Sequence, residues 1–278
     1  MTPLYTLASP IIFRGVGLHS GAPCSVELKP STEDRGILFK INGEYFPLNS
    51  AEFSGDGRGT ELLFPGGRRV RTVEHLLAAL GAMEIGQVVV AVIGPEIPIL
   101  DGGSFSFAKG IQEAGRTTTG VLSEPLKLLV PLVEKDETGN RILMAFPEDC
   151  LSITYIIEYS NPVIGTEIFD FRVTPEGFLT QIAPTRTFAL DEEMDDLIGR
   201  GLAKGGTLSN AILVTGKKAE TEGGLRFPNE FVRHKVLDII GDLTLLGRPL
   251  HAHIVAIRTG HEMHLRLVRR LRALESRC

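Results

Sequence analysis

Cysteine is scarce in this chain. Cys24, Cys150 and Cys278 are the only three in 278 residues, and no two form a CxxC pair. That spacing excludes a zinc ribbon or dithiol redox motif and fits a reducing, cytoplasmic compartment. Basic excess is absent too: 29 lysines and arginines face 34 acids, a formal net charge of −5. Such a surface cannot neutralise a phosphate backbone, so nucleic acid is excluded as a principal partner even though Arg68, Arg69 and Arg71 cluster. No apolar run approaches the roughly 20 residues needed to span a bilayer, and MTPLYTLASPIIF has no basic region ahead of an apolar stretch. The expectation is a cytoplasmic monomer without an integral membrane segment. HExxH is missing, which argues against a zinc peptidase, and the glycine-rich GVGLHSG and LDGGS lack the strand–loop–helix setting of a phosphate-binding loop. Both read as tight turns.

What is present is enough apolar material, 43% of residues, for a substantial core. At this length two compact domains are expected. Short alternating runs such as CSVELKP and GILFKI, separated by Gly, Asp and Pro, predict half-buried strands. Helical spacing begins at RTVEHLLAALGAM, QVVVAVIG predicts a strand, SFSFAKGIQEAG a second helix ending at Gly115, and RTTTGVLSE a linker. The second half repeats the order: strands at LKLLVPLVEK, RILMAF and LSITYIIEYS, then NEFVRHKVLDIIGDLTLLG as helix, AHIVAIRTG as strand and HEMHLRLVRRLRAL as helix. Aligning TVEHLLAAL with FVRHKVLDI superposes Val73 on Val232 and His75 on His234. The reading is an α+β protein of two similar domains, 1–118 and 119–278. Each is a mainly antiparallel sheet on a helix pair, and the helices layer at the domain interface as a β-α-α-β sandwich. Both histidines would then meet between the halves.

On the long second-half helix, Val232, Val236, Ile239, Ile240 and Leu243 make one stripe and His234, Asp238 and Asp242 another. Residues four apart share a helix face, so His234 and Asp238 can hold one cation, on softness grounds zinc, with His75 as a third ligand. Glu74, beside a ligand, could take a proton from water. On spacing alone an isolated HxxxD is more often a surface pair. His251/His253 on one strand face and His261/His264 on one helix face are rival ligand pairs that spacing does not eliminate. His261, between a strand and a helix, could act as general acid with Asp242 holding it protonated.

GVGLHSG (15–21), TVEHLLAAL (72–80), EIPILDGGS (96–104), RTF (186–188), GLRF (224–227), FVRHKVLDIIGDL (231–243) and TGH (259–261) occur in an order that resembles UDP-3-O-acyl-N-acetylglucosamine deacetylases over nearly the whole chain. The resemblance implies zinc-dependent hydrolysis of the acetamide on an acylated UDP-amino sugar, the committed step of lipid A biosynthesis. It implies His75, His234 and Asp238 as the ligands of one zinc ion, Glu74 as general base and His261 as general acid oriented by Asp242. Thr187 would donate to the developing oxyanion, Lys235 and Arg258 would meet the diphosphate, Tyr159 would stack on uracil and Phe188 would lie against the sugar. It further implies a strand–helix–strand insert near 188–215 that forms an apolar passage for the acyl chain, lined by Leu190, Met194, Leu197, Ile198 and Leu202. The family commonly reads TFGF where this chain reads TFAL, so Leu190 stands in place of an aromatic ring. The opposing class is a scaffold protein with a structural metal. The filled acid, base and ligand positions argue against it, and three ligands leave a place for water that a closed four-ligand site does not.

Overall fold

The computed structural model describes residues 2–31, 33–55 and 58–275; Cys278 lies outside them. In the first half, strands Ile11–Val16, Pro23–Pro30, Val88–Ile93, Ile37–Ile41 and Glu44–Pro47 lie side by side in that order. All neighbours are antiparallel except Val88–Ile93 with Ile37–Ile41. In the second half, Leu132–Lys135, Ile142–Pro147, Leu250–Ile257, Leu151–Glu158 and Thr166–Arg172 repeat the order, with Leu250–Ile257 and Leu151–Glu158 parallel in the corresponding place. In both sheets the central strand is the last in sequence. The duplication inferred from a shared V-x-H is therefore a duplication of topology.

The helices are α1 (Glu74–Ala82), α2 (Phe105–Ala114), the single turn α3 (Pro175–Gly177), α4 (Met194–Gly199), α5 (Glu230–Thr244) and α6 (His261–Glu275). α1 packs face to face with α5 between the two sheets, which makes the expected β-α-α-β sandwich. This position explains why α5 is buried on almost every side: its apolar stripe and its His234, Asp238 and Asp242 stripe are both inside. Buried polar groups must find partners within the protein, so the polar stripe is forced into a network. The crossing is close because Gly241 lacks a side chain. A Cβ there would collide with the Glu74 carbonyl oxygen, and that contact sets Glu74 beside Asp242 of the opposite half.

Three sequence expectations need correction. RTTTGVLSE is no linker: Arg116–Ser123 is a strand paired antiparallel with Thr2–Leu7, so residue 118 falls inside it. Its threonines and valine suit a pleated strand, and the N-terminal strand supplies the long-range partner that makes one. LKLLVPLVEK is broken into Leu126–Lys127 and Leu132–Lys135, which pair with different strands. Pro131 has no N–H for a ladder, and Leu129, 93% exposed, stands in solvent between them. In the insert, Thr187–Leu190 and Ala211–Val214 pair in parallel around α4 as expected, but α4 has only six residues. It stops at Gly199, and Gly201 has a positive φ, so Leu202 lies off the helix. Of the proposed stripe, Leu190 and Leu197 are buried, Met194 and Leu202 half-buried, and Ile198 64% exposed.

Candidate active site

α1 begins where Thr72 takes a left-handed backbone, φ 53°, a conformation costly for a β-branched residue. Its hydroxyl donates to Glu96 Oε1 at 2.7 Å. Glu96 is fully buried and also accepts the backbone N–H groups of His19 and Ser20, both at 2.9 Å, and the Ser20 hydroxyl at 2.7 Å. Burial alone would raise its pKa, but these bonds hold the carboxyl below its ordinary value. The turn GVGLHSG is thus tied to the start of the helix that carries Glu74 and His75.

His75 from α1 and His234 and Asp238 from α5 place one ligand atom each within 4.8 Å of the others. Asp238 Oδ1 is 3.8 Å from His75 Nε2 and 3.5 Å from His234 Nε2. Its other oxygen accepts Lys235 Nζ at 2.8 Å. His234 Nδ1 is 3.2 Å from the Thr185 carbonyl oxygen, which aims Nε2 into the cluster, and the His75 carbonyl accepts the Ser104 hydroxyl at 2.6 Å. Burial pushes His75 down to about 4 and His234 down to about 3, so both imidazoles are neutral at pH 7. Burial would raise Asp238, but Lys235, His234, His261 and His75 outweigh it and hold the carboxyl well below its usual range. Two neutral imidazoles and one carboxylate, converging and shielded from water, fit a metal ion.

A second set, Asp242, His261 and His264, also lies within ligand distance, which spacing in α5 alone did not reveal. Its atoms are otherwise engaged. Asp242 Oδ2 is 2.8 Å from Nδ1 of both His261 and His264, and Oδ1 accepts the Thr60 hydroxyl at 2.6 Å. His264 Nε2 meets the hydroxyls of Tyr155 at 3.2 Å and Thr259 at 3.0 Å. This set is a hydrogen-bonded array with His261 at its open end, Nε2 being 3.8 Å from Asp238 Oδ2. Burial works against a charge on His261, yet Asp242, with Asp238 and Glu74, holds its pKa up at about 10. Glu74 is the reverse case: 3% exposed, it is pushed by burial up to about 7. Its Oε2 accepts the Thr60 N–H at 3.0 Å.

The remaining expected residues fall into two groups. Phe188 lies edge-on to Tyr159, Phe231 and His234, with ring centroids 5.9, 5.1 and 6.4 Å away, and Lys235 Nζ sits 5.4 Å over its ring. Burial alone would lower Lys235, but Asp238, Tyr159 and Tyr155 raise it, so its ammonium is retained. Arg258, on a left-handed residue after the central strand, pairs with Glu158 at 3.4 Å beside Tyr159. Thr187 is half-buried, its N–H bonded to the Gly102 carbonyl at 2.9 Å. Leu190 and Leu197 face inward on the insert, while Leu202 lines a cavity of about 250 Å³ with His19, Gly59 and Thr60. The rival pair His251/His253 is elsewhere: His253 Nε2 is 2.9 Å from the Thr154 hydroxyl on the sheet.

A family model described as UDP-3-O-acyl N-acetylglycosamine deacetylase matches residues 5–273. The chain belongs to that family. It is 42% identical over 270 residues to the UDP-3-O-acyl-N-acetylglucosamine deacetylase of Chlamydia felis, covering 96% of this chain and 95% of the relative. It is 41% identical over 266 residues to the enzyme so named in Chlamydia muridarum, 94% and 92% covered. In Thermodesulfovibrio yellowstonii the figures are 37% over 274 residues, 98% and 92% covered.

Membership in the deacetylase family accounts for the motifs but not for several groups that sequence reasoning passed over. Thr60 bridges Glu74 and Asp242 from a first-half sheet made of Glu52–Gly55, Thr60–Phe64 and Arg68–Val70. Nothing local marks a threonine 182 positions from its partner. LDGGS was read as a turn; in the fold, Gly102 and Gly103 admit the backbones of Asn210 and Thr185 so closely that a Cβ on either would collide. That close approach stitches the two halves together and places Thr187.

Proposed function

We propose that the chain removes the N-acetyl group of UDP-3-O-acyl-N-acetylglucosamine, giving acetate and the free amine, the committed step of lipid A biosynthesis, with one zinc ion held by His75, His234 and Asp238. The observation that carries this reading is the convergence of those ligand atoms from both halves, with a buried carboxylate and a charge-holding imidazole alongside. Zinc, when bound, supplies polarisation of the amide carbonyl and a water whose pKa falls toward about 7. Glu74, with a pKa of about 7, takes the water proton as attack proceeds, because Thr60 fixes its carboxylate and burial raises its basicity. His261 delivers its proton to the departing nitrogen, and Asp242 keeps it protonated until then. The Thr187 hydroxyl donates to the developing oxyanion, a contact worth roughly 3 kcal/mol in other enzymes.

Lys235 and Arg258 meet the diphosphate, Tyr159 the uracil and Phe188 the sugar; the contiguous contacts of Tyr159, Phe188 and Lys235 support one track leading away from the ligands. Leu190, Leu197 and Leu202 face the acyl chain. The domains 1–118 and 119–278 each contribute, and one chain supplies every group named, consistent with a monomer. A cytoplasmic location is supported by the unpaired Cys24 and Cys150 and by the lack, among the described residues, of a helix able to cross a membrane.

Metal quantification and a deacetylation assay on the acylated UDP-sugar test the proposal together. One zinc per chain and stoichiometric acetate release are expected. Retained activity with zinc near zero after supplementation would end the metal assignment, and zinc-loaded protein that releases no acetate would end the functional one.

Asp242→Asn tests the general acid through pH. Rate rises as Glu74 loses its proton and falls as His261 loses its own. Removing the anion that raises His261 lowers the pKa of that acid, so the alkaline limb of kcat is expected to move down by about 1–3 pH units. An unmoved alkaline limb in a folded Asp242→Asn would rule out His261 as the acid held by this carboxylate.

A further inference from the structure

The first turn of α6 carries two histidines, and the reaction described above uses one of them. Three residues apart, His261 and His264 share a helix face, so both turn toward Asp242 on α5. Their Nδ1 atoms each lie 2.8 Å from the same carboxylate oxygen, Oδ2. His264 and Asp242 are both 0% exposed, so neither can turn to water for a partner. His264 also stands outside the set of His75, His234 and Asp238 that converges on the metal position.

Counting hydrogens fixes the state of this array. Burial would raise the Asp242 carboxyl, but His261 and His264 outweigh it and hold the group below its ordinary value, so it is an anion that can only accept. Each Nδ1 therefore carries a hydrogen. Burial lowers the pKa of His264 against the pull of Asp242, which leaves the ring neutral and its Nε2 bare. A bare ring nitrogen inside a protein needs a donor. Two hydroxyls face it, Tyr155 at 3.2 Å and Thr259 at 3.0 Å. Tyr155 gives its hydrogen to the Thr259 carbonyl at 2.9 Å, so the hydrogen for Nε2 comes from the Thr259 hydroxyl. With Thr60 donating to Oδ1 at 2.6 Å, three donors grip Asp242 and set the plane of its carboxylate.

We propose that His264 is a positioning residue for the general acid: its Nδ1–H braces Asp242 so that His261 keeps one orientation, and the Thr259 hydroxyl fixes the tautomer that makes the brace. The proposal rests on the deacetylase reading above, in which His261 protonates the departing nitrogen. Without a hydrogen from His264, Oδ2 would answer to His261 alone and the carboxylate could turn with that ring. His261 Nε2, which must meet the departing nitrogen within about 2.6–3.2 Å, would lose its aim. A displacement on the order of 1 Å can cost about 10²-fold in rate. A packing role would depend on side-chain volume, whereas a brace depends on which atom donates.

Two amides separate these roles, because the amide nitrogen of asparagine falls where Nδ1 stood and that of glutamine where Nε2 stood. Acetate release from the acylated UDP-sugar is measured on zinc-loaded protein, with metal content followed in parallel. His264→Asn keeps a donor on Asp242 and is expected to hold kcat within about threefold of wild type. His264→Gln loses that donor, and its kcat should fall roughly 10- to 100-fold with KM within about twofold and zinc retained. In an Asp242→Asn background the same glutamine should cost less than about threefold, since the carboxylate it would have braced is gone. Thr259→Val keeps the test decisive if either amide variant fails to fold: it leaves His264 in place, removes the hydrogen that Nε2 accepts, and should lower kcat about 3- to 10-fold at unchanged KM. Equal kcat in His264→Asn and His264→Gln beside an active wild type, a full loss on adding His264→Gln to Asp242→Asn, or wild-type kcat in folded Thr259→Val would each overturn the proposal alone. A zinc-loaded wild type that releases no acetate would overturn the deacetylase reading and the proposal with it.

Discussion

Glu74→Gln is expected to reduce kcat by about 10²- to 10⁴-fold while leaving one zinc per chain. The amide has the shape of the carboxylate and can still accept the Thr60 N–H that now bonds Oε2 at 3.0 Å, so the packing at the α1–α5 crossing survives. What it cannot do is take a proton. Glu74 also stands outside the set of ligand atoms contributed by His75, His234 and Asp238. His75→Ala should behave differently, weakening zinc first and activity in consequence. The two adjacent residues are thereby separable by metal content measured alongside kcat. Loss of zinc from Glu74→Gln as readily as from His75→Ala, or a rate above a tenth of wild type, would show that the division of labour is wrong. A stability effect accompanies the change. Burial raises the folded-state pKa of Glu74 from 4.5 to about 7, so the ionised carboxylate is disfavoured by folding and stability is lost as pH rises through that value. Metal-free Glu74→Gln should accordingly melt higher than metal-free wild type above pH 7.

Glu230→Ala should give the largest loss of stability, about 3–5 kcal/mol. Arg186 and Glu230 are 1% and 0% exposed and form a closed pair, with Glu230 accepting Arg186 Nε at 2.9 Å, Arg186 Nη2 at 3.1 Å and the Arg186 backbone N–H at 3.0 Å. The guanidinium also donates to the Thr221 hydroxyl and to the Glu222 and Gly224 carbonyls. Removing the carboxylate strands a buried cation, whose desolvation is then uncompensated. A fall in melting temperature of roughly 10 °C is expected for a chain of this size. Because Arg186 immediately precedes Thr187 and Phe188, the same clamp holds the insert strand against the start of α5, and kcat/KM should fall in protein that remains folded. Replacing both partners by apolar residues should recover much of the stability. A loss under 1 kcal/mol on denaturant titration of Glu230→Ala would contradict the burial argument.

The RTF motif contains Arg186 but gave it no role, and nothing in the sequence paired it with Glu230, for a reason general to this molecule. Spacing in FVRHKVLDIIGDL placed His234, Asp238 and Asp242 on one face because a helix has a fixed period, and the V-x-H shared with TVEHLLAAL pointed to a repeated unit. Strands such as Pro23–Pro30 and Leu250–Ile257 announced themselves by their apolar patterning for the same local reason. Periodicity failed where chain neighbours do not decide the outcome. RTTTGVLSE became a strand because Thr2–Leu7 lies beside it, and α4 stopped short of Leu202 at a glycine-rich turn.

The candidate site divides along the same line. Sequence by itself determined which side chains bear chemistry and, through family motifs, which roles to expect of Glu74, His75, His234, Asp238 and His261. It could not choose among the histidine pairs by spacing, because spacing says nothing about what stands opposite. The tertiary structure decided that His75 faces His234 at 5.1 Å, that His264 is spent on Asp242, Tyr155 and Thr259, and that Thr60 links Glu74 to Asp242, the carboxylate beside His261. Those relations join residues up to 182 positions apart. They arise only when two apolar helix layers are driven together and their polar stripes, shut off from water, must satisfy one another.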